Sequence, residues 1–338
     1  YILLYITLWR VYPLETLLAA PTSVSNFMEK SVIIFIYILC AETILKKFSI
    51  GKFLILSIIL CVLPSIAYIS VLGKDALQYY ELTNNMSIVG RLVLAYSNAP
   101  ILVVVLVNAN KIFSNRFLNY ITVVVVTLII SYILLICTKR GPILWSIVIV
   151  FFSVLIRFKL SIMKGVIALS TVLCIIYIFG DALLDMVSPV APSTVERIRS
   201  TIYEGDTAHR FDTNNMGNSG YILGIEQFLK SPIWGDYFRI TDNNSIFKGC
   251  YPHNLFIEIA MTMGLIGLIP FLLLLKKTYI NVLKLLQSQE TNKISCVCLF
   301  LSVFLQLQTT GSIVLNGFFW FFLYLIFASS KIIVTKRL

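Results

Sequence analysis

Long apolar runs alternate with short polar connections along most of the chain. A run of about twenty apolar residues is long enough to cross the hydrocarbon core of a bilayer as one helix. One polar segment, residues 181–252, is much longer than the other connections. The pattern predicts an all-α polytopic membrane protein with about nine to ten transmembrane helices. The approximate spans are 31–45, 53–72, 88–108, 117–137, 142–157, 161–180, 254–275, 294–311 and 314–334.

The pattern also predicts how the chain is organised around the long polar segment. We expect N-terminal transmembrane helices over 1–180, a large extracytoplasmic loop over 181–252 and C-terminal transmembrane helices over 253–338. Residues 1–9 resemble the tail of a helix, so we expect further chain, with one or more spans, to precede Tyr1.

One stretch inside the long polar segment has apolar residues at helical spacing. It runs from Gly220 to Lys230 and stops at Ser231-Pro232, where proline disfavours continuation of a helix. The spacing predicts a short amphipathic helix, followed by a turn around Trp234-Gly235. A loop of this size is more often a lid or a binding loop than a plain connection.

Composition excludes a soluble fold, because 58% of the residues are hydrophobic and only 13% are charged. The formal net charge of +11 does not require nucleic acid as a partner, since most of the excess lies in short loops. These loops share one side of the membrane if each apolar run crosses once, and the positive-inside rule makes that side the cytoplasm. The basic residues concerned are Lys46, Lys47, Lys52, Lys111, Arg116, Arg157, Lys159, Lys164, Lys276, Lys277, Lys284, Lys293, Lys331, Lys336 and Arg337.

Two basic groups fall on the outer side instead. Lys139 and Arg140 lie in a connection between two spans, and Arg91 lies near the outer start of its span. Ionisable residues at membrane depth are costly and commonly line a hydrated cavity or a functional site. The alternatives are an interfacial anchor for Lys139-Arg140 and a snorkelling side chain for Arg91.

The long polar segment ends at Pro252, where the next apolar run begins with His253 and Asn254. Glu258 follows one turn later. A helix start carries unpaired N–H groups and a partial positive charge, so it can receive a phosphate or an oxygen-rich sugar. Further along, Gly264 and Gly267 would allow a second helix to approach closely. The alternative is a membrane helix whose polar residues simply lie at the headgroup level.

The seven cysteines do not form a framework, because six lie in or beside apolar runs and only Cys250 lies in a polar loop. We expect neither disulfides nor a zinc site. There is also no carboxylate cluster with the spacing of metal ligands, so we expect no metal and no cofactor.

Several of these segments resemble, in order, motifs of the bacterial O-antigen polymerase and O-antigen ligase superfamily of membrane glycosyltransferases. Thr138-Lys139-Arg140-Gly141 is similar to the family's Ser-Arg-Gly, with Lys in place of Ser. His209-Arg210, the amphipathic helix and Ser231-Pro232-Ile233-Trp234-Gly235 resemble its loop arginine, helix and Pro-x-x-Gly element, with a slightly longer spacing here. Pro252-His253-Asn254-Leu255 with Gly264-Leu265-Ile266-Gly267 is similar to its His-Asn and Gly-x-x-Gly signature, the most specific piece. Arg91 with Ser97-Asn98-Ala99-Pro100 is similar to an upstream Arg and Asn-Pro pair.

The resemblance implies a GT-C-like enzyme of the bacterial cytoplasmic (inner) membrane, with the large loop in the periplasm. Such an enzyme transfers a glycan from an undecaprenyl diphosphate carrier to a glycan acceptor, without a nucleotide sugar or a metal. Its partners would be the lipid-linked donor, the acceptor, membrane lipid and, as a further candidate, a chain-length regulator protein.

The same resemblance, with the chemistry of the side chains, assigns roles to individual residues. His253 is the candidate base, because its unperturbed pKa suits proton transfer near neutral pH. Arg140 and Arg210 are the candidates for holding the departing diphosphate, since guanidinium forms a bidentate fork with phosphate oxygens. The remaining candidates bind substrate: Arg91, Lys139, Asn254 and Glu258.

Polymerase and ligase differ in the acceptor, which is another lipid-linked glycan or lipid A-core, and the sequence does not distinguish them. The diverged loop and span lengths favour the polymerase. A lipid-linked oligosaccharide flippase or another transporter is the alternative from a different class. It should contain paired halves with interrupted helices, and no such internal repeat is visible in the sequence.

Overall fold

The computed structural model describes several separate stretches of the chain, and most of the residues in them are helical. Described are residues 50–72, 86–109, 112–137, 140–157, 220–235, 252, 254–288, 290–308 and 316–335, with isolated residues between 32 and 36 and short pieces between 163 and 199. All regular structure in these residues is helical, which confirms the predicted all-α class. In chain order the helices are α1 (Ile50–Ser57), a π-helical turn (Ile58–Val62), α2 (Leu63–Leu72), α3 (Met86–Val107), α4 (Arg116–Ile136), α5 (Arg140–Arg157), α6 (Gly220–Lys230), α7 (Leu255–Gln287), α8 (Thr291–Gln306) and α9 (Gly317–Thr335).

Among the residues that the structure describes, three helical stretches are long and apolar enough to cross a membrane: Lys52–Ser70, Arg116–Ile136 and Leu255–Gln287. This agrees with the predicted membrane protein. The total number of spans and the GT-C-like class stay predictions. The expected spans at 31–45 and 161–180 lie largely outside the described residues.

The helices pack in two compact units, each of which is built from separate stretches of the chain. One unit contains residues Lys47–Gly205 and Lys284–Ser302. The other contains the described residues within Asp206–Leu283 and Val303–Leu338. The predicted division into helices over 1–180, an extracytoplasmic loop over 181–252 and helices over 253–338 describes which segments lie in or outside the membrane. That division remains a prediction.

A tight reversal in the first unit is built around one buried asparagine, Asn119. Its side-chain oxygen accepts from the backbone N–H groups of Ile112 and Phe113, at 3.1 Å each. Its amide nitrogen donates to the carbonyl of Ala109. These bonds close the connection between α3 and α4, so the two helices run in opposite directions. The connection from α4 to α5 is shorter still, and α3 packs along both.

Buried polar pairs join further helices of this unit. Asn98 on α3 donates to the Ser65 hydroxyl of α2 at 2.8 Å, and both side chains are almost completely buried. Asn108 donates to Ser295 at the start of α8 at 3.2 Å. An apolar interior makes an unpaired polar group costly, so these pairs fix which helix faces meet.

The second unit is organised around α7, which continues to Gln287 and is therefore longer than the predicted span of 254–275. Phe271 of α7 lies between Phe256 of the same helix and Phe319 of α9, with ring centroids 6.4 and 6.3 Å apart. Met261, near the start of α7, packs against Leu223 and Phe228 of α6. The predicted loop helix is thus confirmed, with the predicted bounds, and it lies against α7.

Candidate functional site

The start of α7, where the most specific sequence motif lies, is capped by Asn254. The Asn254 side-chain oxygen accepts from the backbone N–H groups of Phe256 and Ile257, at 3.0 and 3.1 Å. Its backbone carbonyl accepts from the N–H of Glu258 at 2.9 Å. A side chain that bonds the second and third N–H groups of a helix is a standard N-cap. The chain's own asparagine therefore defines where this helix begins.

The cap changes what the helix start can offer to a ligand. Three of the first-turn N–H groups already have acceptors within the protein. The expected phosphate or sugar site on free N–H groups is reduced, although the partial positive charge of the helix end remains. The Asn254 amide nitrogen takes no part in the cap and carries two donor hydrogens.

Glu258 lies inside the protein rather than on the loop surface, with 2% of the residue exposed. Thr262, one turn further, donates its hydroxyl to the Glu258 backbone carbonyl at 2.6 Å. A buried carboxylate is stable only when it is paired or hydrogen-bonded. Glu258 thus faces the interior of its unit, as intramembrane acids usually do.

Helix α7 is interrupted at Gly264, and the loop turn that follows α6 fills the interruption. Gly264 has φ 60° and ψ −161°, far from helical values. The N–H groups of Leu265 and Ile266 donate to the carbonyls of Pro232 and Ile233, at 2.8 and 3.2 Å. Two N–H groups that the break would leave without acceptors are satisfied by the turn instead.

Two glycines make this contact possible, one on each side. A Cβ on Gly264 would lie 2.3 Å from the Ile233 carbonyl oxygen. A Cβ on Gly235, which has φ +69°, would lie 2.4 Å from the backbone nitrogen of Met263. Any larger residue at either position would meet backbone atoms, which cannot rotate away.

The approach to Gly264 and Gly267 therefore differs from the expected one. The partner at Gly264 is a turn, not a second helix. At Gly267 the nearest atoms belong to Met263 of the same helix. The two motifs nevertheless meet, because the Pro232–Gly235 element docks at the first glycine of the Gly-x-x-Gly segment.

The arginines expected on the outer side lie near the starts of two helices of the other unit. Arg140 is the first residue of α5, and Arg91 lies in the second turn of α3. Both arginines lie within the first two turns of their helices, and their placement on the outer side of the membrane stays a prediction.

The other predicted site residues, His253, Arg210 and Lys139, lie outside the described residues, so their roles stay predictions. In the part of the chain that the structure describes, no group of three or more His, Cys, Asp and Glu residues could hold a metal ion. Metal independence remains an expectation.

Sequence reasoning missed the docking of the turn onto α7. The available signal was the pair of glycines, Gly235 and Gly264. Both have a positive φ, which glycine adopts more readily than any other residue. Sequence alone could not pair them, since residues 236–251 separate the turn from the segment that leads into α7.

Comparisons with protein-family models, with curated proteins and with solved structures find no match to this chain. The resemblance to the O-antigen polymerase and ligase superfamily therefore rests on the motifs alone.

Proposed function

We propose that this protein is a membrane glycosyltransferase, an O-antigen or surface-polysaccharide polymerase. It transfers a glycan from an undecaprenyl diphosphate carrier to a lipid-linked acceptor at the outer face of the bacterial inner membrane. In the proposed step the acceptor hydroxyl attacks the anomeric carbon of the donor sugar. The bond from that carbon to the diphosphate oxygen breaks, and the diphosphate leaves with the electron pair.

The side chains named from the sequence divide this work. His253 takes the proton of the acceptor hydroxyl, and Arg140 and Arg210 neutralise the charge that develops on the diphosphate. Arg91 and Lys139 add positive charge at the outer side, while the Asn254 amide nitrogen binds a sugar or phosphate oxygen. Glu258, the remaining candidate for binding substrate, lies buried one turn below.

The observation that carries the proposal is the docking of the Pro232–Gly235 turn at Gly264. Two of the family-like motifs, which are separated in sequence by a polar stretch, are in direct contact. The contact ties the loop helix α6 to the helix that begins directly after His253. A base placed at such a junction is held by a capped helix on one side, which supports a positioned catalytic group.

The interruption of α7 is also the one observation that favours a transporter, because broken helices often form binding sites in transporters. In α7, however, the carbonyls of the docked turn already occupy the N–H groups of Leu265 and Ile266. Fewer backbone groups are left to bind a transported solute. The polymerase therefore remains the preferred function.

A deletion of the gene in its host, examined by lipopolysaccharide gel, tests the proposal. A polymerase predicts core capped with a single repeat unit. A ligase predicts uncapped core with the polymer retained on the lipid carrier, and a flippase predicts repeat units that stay at the inner face. An unchanged lipopolysaccharide pattern would exclude all three functions in that pathway.

A further inference from the structure

A polar side chain of the loop helix α6 is buried among apolar ones. Gln227 is 4% exposed, whereas the charged residues of the helix are exposed. Around the helix, Gln227 lies between Leu223 and Phe228, which both pack against Met261 of α7. Gln227 therefore lies on the face that α6 turns toward α7.

Helix α6 and the first part of α7 run side by side in the same direction. Gly224, early in α6, lies against Ile257, which is early in α7. Gly235, in the turn that follows α6, lies against Met263, at the end of that first part. The neighbours of α6 are therefore the residues of α7 that precede the interruption at Gly264.

The rotation of the two helices places Gln227 and Glu258 on one side of their contact. Gly224 and Met261 lie in the contact itself. At about 100° per residue, Gln227 is turned from Gly224 by about 60° in one sense. Glu258 is turned from Met261 by about 60° in the opposite sense. Opposite rotations on two facing helices that run in the same direction lead to the same side. Asn254, one turn before Glu258, shares that side of α7.

The Gln227 amide is unpaired among the residues that the structure describes. It offers two N–H donors and a carbonyl acceptor. The hydroxyl of Thr262, one turn after Glu258, already donates to the Glu258 backbone carbonyl at 2.6 Å. A buried polar group without a partner is costly, so this amide points to a ligand that supplies the missing hydrogen bonds.

The groups on this side of the contact fit the hydroxyl groups of a sugar ring. A sugar hydroxyl both donates and accepts, so neighbouring hydroxyls can pair with the N–H and the carbonyl of one amide. The Glu258 carboxyl group accepts further bonds, and the Asn254 amide nitrogen has donor hydrogens outside the helix cap. A phosphate is disfavoured here, because its negative charge is repelled by a carboxylate. A few placed polar groups of this kind set the specificity of a binding site.

We propose that Gln227 is a specificity-determining residue that binds a sugar ring of the glycan repeat unit. Its amide, the Glu258 carboxyl group and the Asn254 amide nitrogen form hydrogen bonds with the hydroxyls of that ring. The inference rests on the proposed function and deepens it, because it assigns glycan recognition to the contact between α6 and α7.

Steady-state transfer assays on the purified full-length protein in detergent micelles test the proposal. The substrate is the undecaprenyl diphosphate-linked repeat unit isolated from the deletion strain. Gln227→Met removes the amide and keeps the length of the side chain. Gln287→Met is the matched control, since Gln287 is exposed at the end of α7. The melting temperature of each protein is measured in parallel, without substrate.

In Gln227→Met the KM should rise about two- to tenfold with little change in kcat, because the lost hydrogen bond is present both in the bound substrate and in the transition state. The melting temperature should stay the same or rise, since no hydrogen bond within the protein is lost. Gln287→Met should change neither quantity.

An unchanged KM in Gln227→Met, while the wild-type protein transfers glycan, would overturn this inference and leave the proposed function standing. A lower melting temperature would also overturn it, because the amide would then have a partner within the protein. A wild-type protein that transfers no glycan from this substrate would refute the proposed function, and the inference with it.

A second variant, Gln227→Asn, guards against a folding defect in the methionine variant. It keeps an amide in the helix but withdraws that amide by one methylene group. Its KM should rise to a similar extent as in Gln227→Met. A normal KM in Gln227→Asn would contradict a direct hydrogen bond between the Gln227 amide and the sugar.

Discussion

Replacement of Gly264 by alanine should release the Pro232–Gly235 turn from α7. The new Cβ would lie 2.3 Å from the Ile233 carbonyl oxygen and 2.6 Å from the Trp234 nitrogen, both of them backbone atoms. The φ of 60° and ψ of −161° at this position also belong to a region that only glycine occupies readily. The turn and an alanine cannot both keep their present positions.

The magnitude follows from two contributions. A non-glycine residue in this backbone region costs about 1–3 kcal/mol. The two backbone hydrogen bonds from Leu265 and Ile266 contribute about 0.5–1.5 kcal/mol each. The variant incurs one of these costs and not both, because the turn either stays docked with a strained backbone or leaves and loses the bonds. The change is therefore about 1–3 kcal/mol, or about 5- to 150-fold in the docking equilibrium.

The free energy of unfolding should change much less than the docking equilibrium. Once the turn has left, the backbone at position 264 is no longer held against the carbonyls of Pro232 and Ile233, so its strain can relax. The variant should therefore insert and fold while its loop is free. A thermal-stability measurement in detergent distinguishes this outcome from general misfolding.

Limited trypsin digestion in detergent micelles measures the release. Lys230 is exposed and directly precedes the docked turn, so cleavage after it reports the undocked population. Cleavage should accelerate by about 5- to 150-fold in Gly264→Ala, in line with the estimated change in the docking equilibrium. Leu265→Ala is the matched control, because it changes the neighbouring side chain and keeps the backbone donor.

The opposite side of the contact gives an independent check. Gly235→Ala should have a similar effect, since its Cβ would meet the backbone of Thr262 and Met263. The double variant with Gly264→Ala should be cleaved no faster than the single variants, because both remove the same contact. Cleavage at the wild-type rate in Gly264→Ala would refute the strain argument.

The remaining predictions concern the proposed chemistry and topology. The His253→Ala and His253→Gln proteins should both insert normally but lower glycan transfer by about 10²–10⁴-fold in an assay at matched expression. The control variant, His209→Ala, should transfer glycan at a near-normal rate. A near-normal rate in His253→Gln would show that His253 only donates or accepts a hydrogen bond. Arg140→Lys should fail nearly as badly as Arg140→Ala in polymer formation, because a lysine cannot form the bidentate contact with phosphate; full polymer from the lysine variant would show that a point charge suffices. EDTA should leave the activity of the purified enzyme intact, and activity that is lost and then restored by magnesium would contradict this. A cysteine introduced at Asn215 should react with a membrane-impermeant thiol reagent in intact cells with a permeabilised outer membrane, and resistance would refute the assigned topology.

Local sequence features determined most of the helices. Apolar runs bounded by polar residues predicted α3, α4, α5 and α9 to within a few residues. Such helices can be predicted because the signal, a run of apolar residues, is contained within the helix itself. The same reasoning located α6, since apolar spacing and the following proline are both local signals. The end of α7 was placed too early, because the exposed lysines at 276 and 277 look like a loop although a helix tolerates them well.

Tertiary structure decided which of these segments meet. The sequence suggested a helix as the partner of Gly264, but the partner is a turn, since only the folded chain brings Pro232 and Ile233 opposite the two donors on α7. The folded structure also shows that the Asn254 side-chain oxygen caps the start of α7. Hydrogen bonds between distant segments depend on where the backbone runs in space, and no local pattern of residues encodes that path.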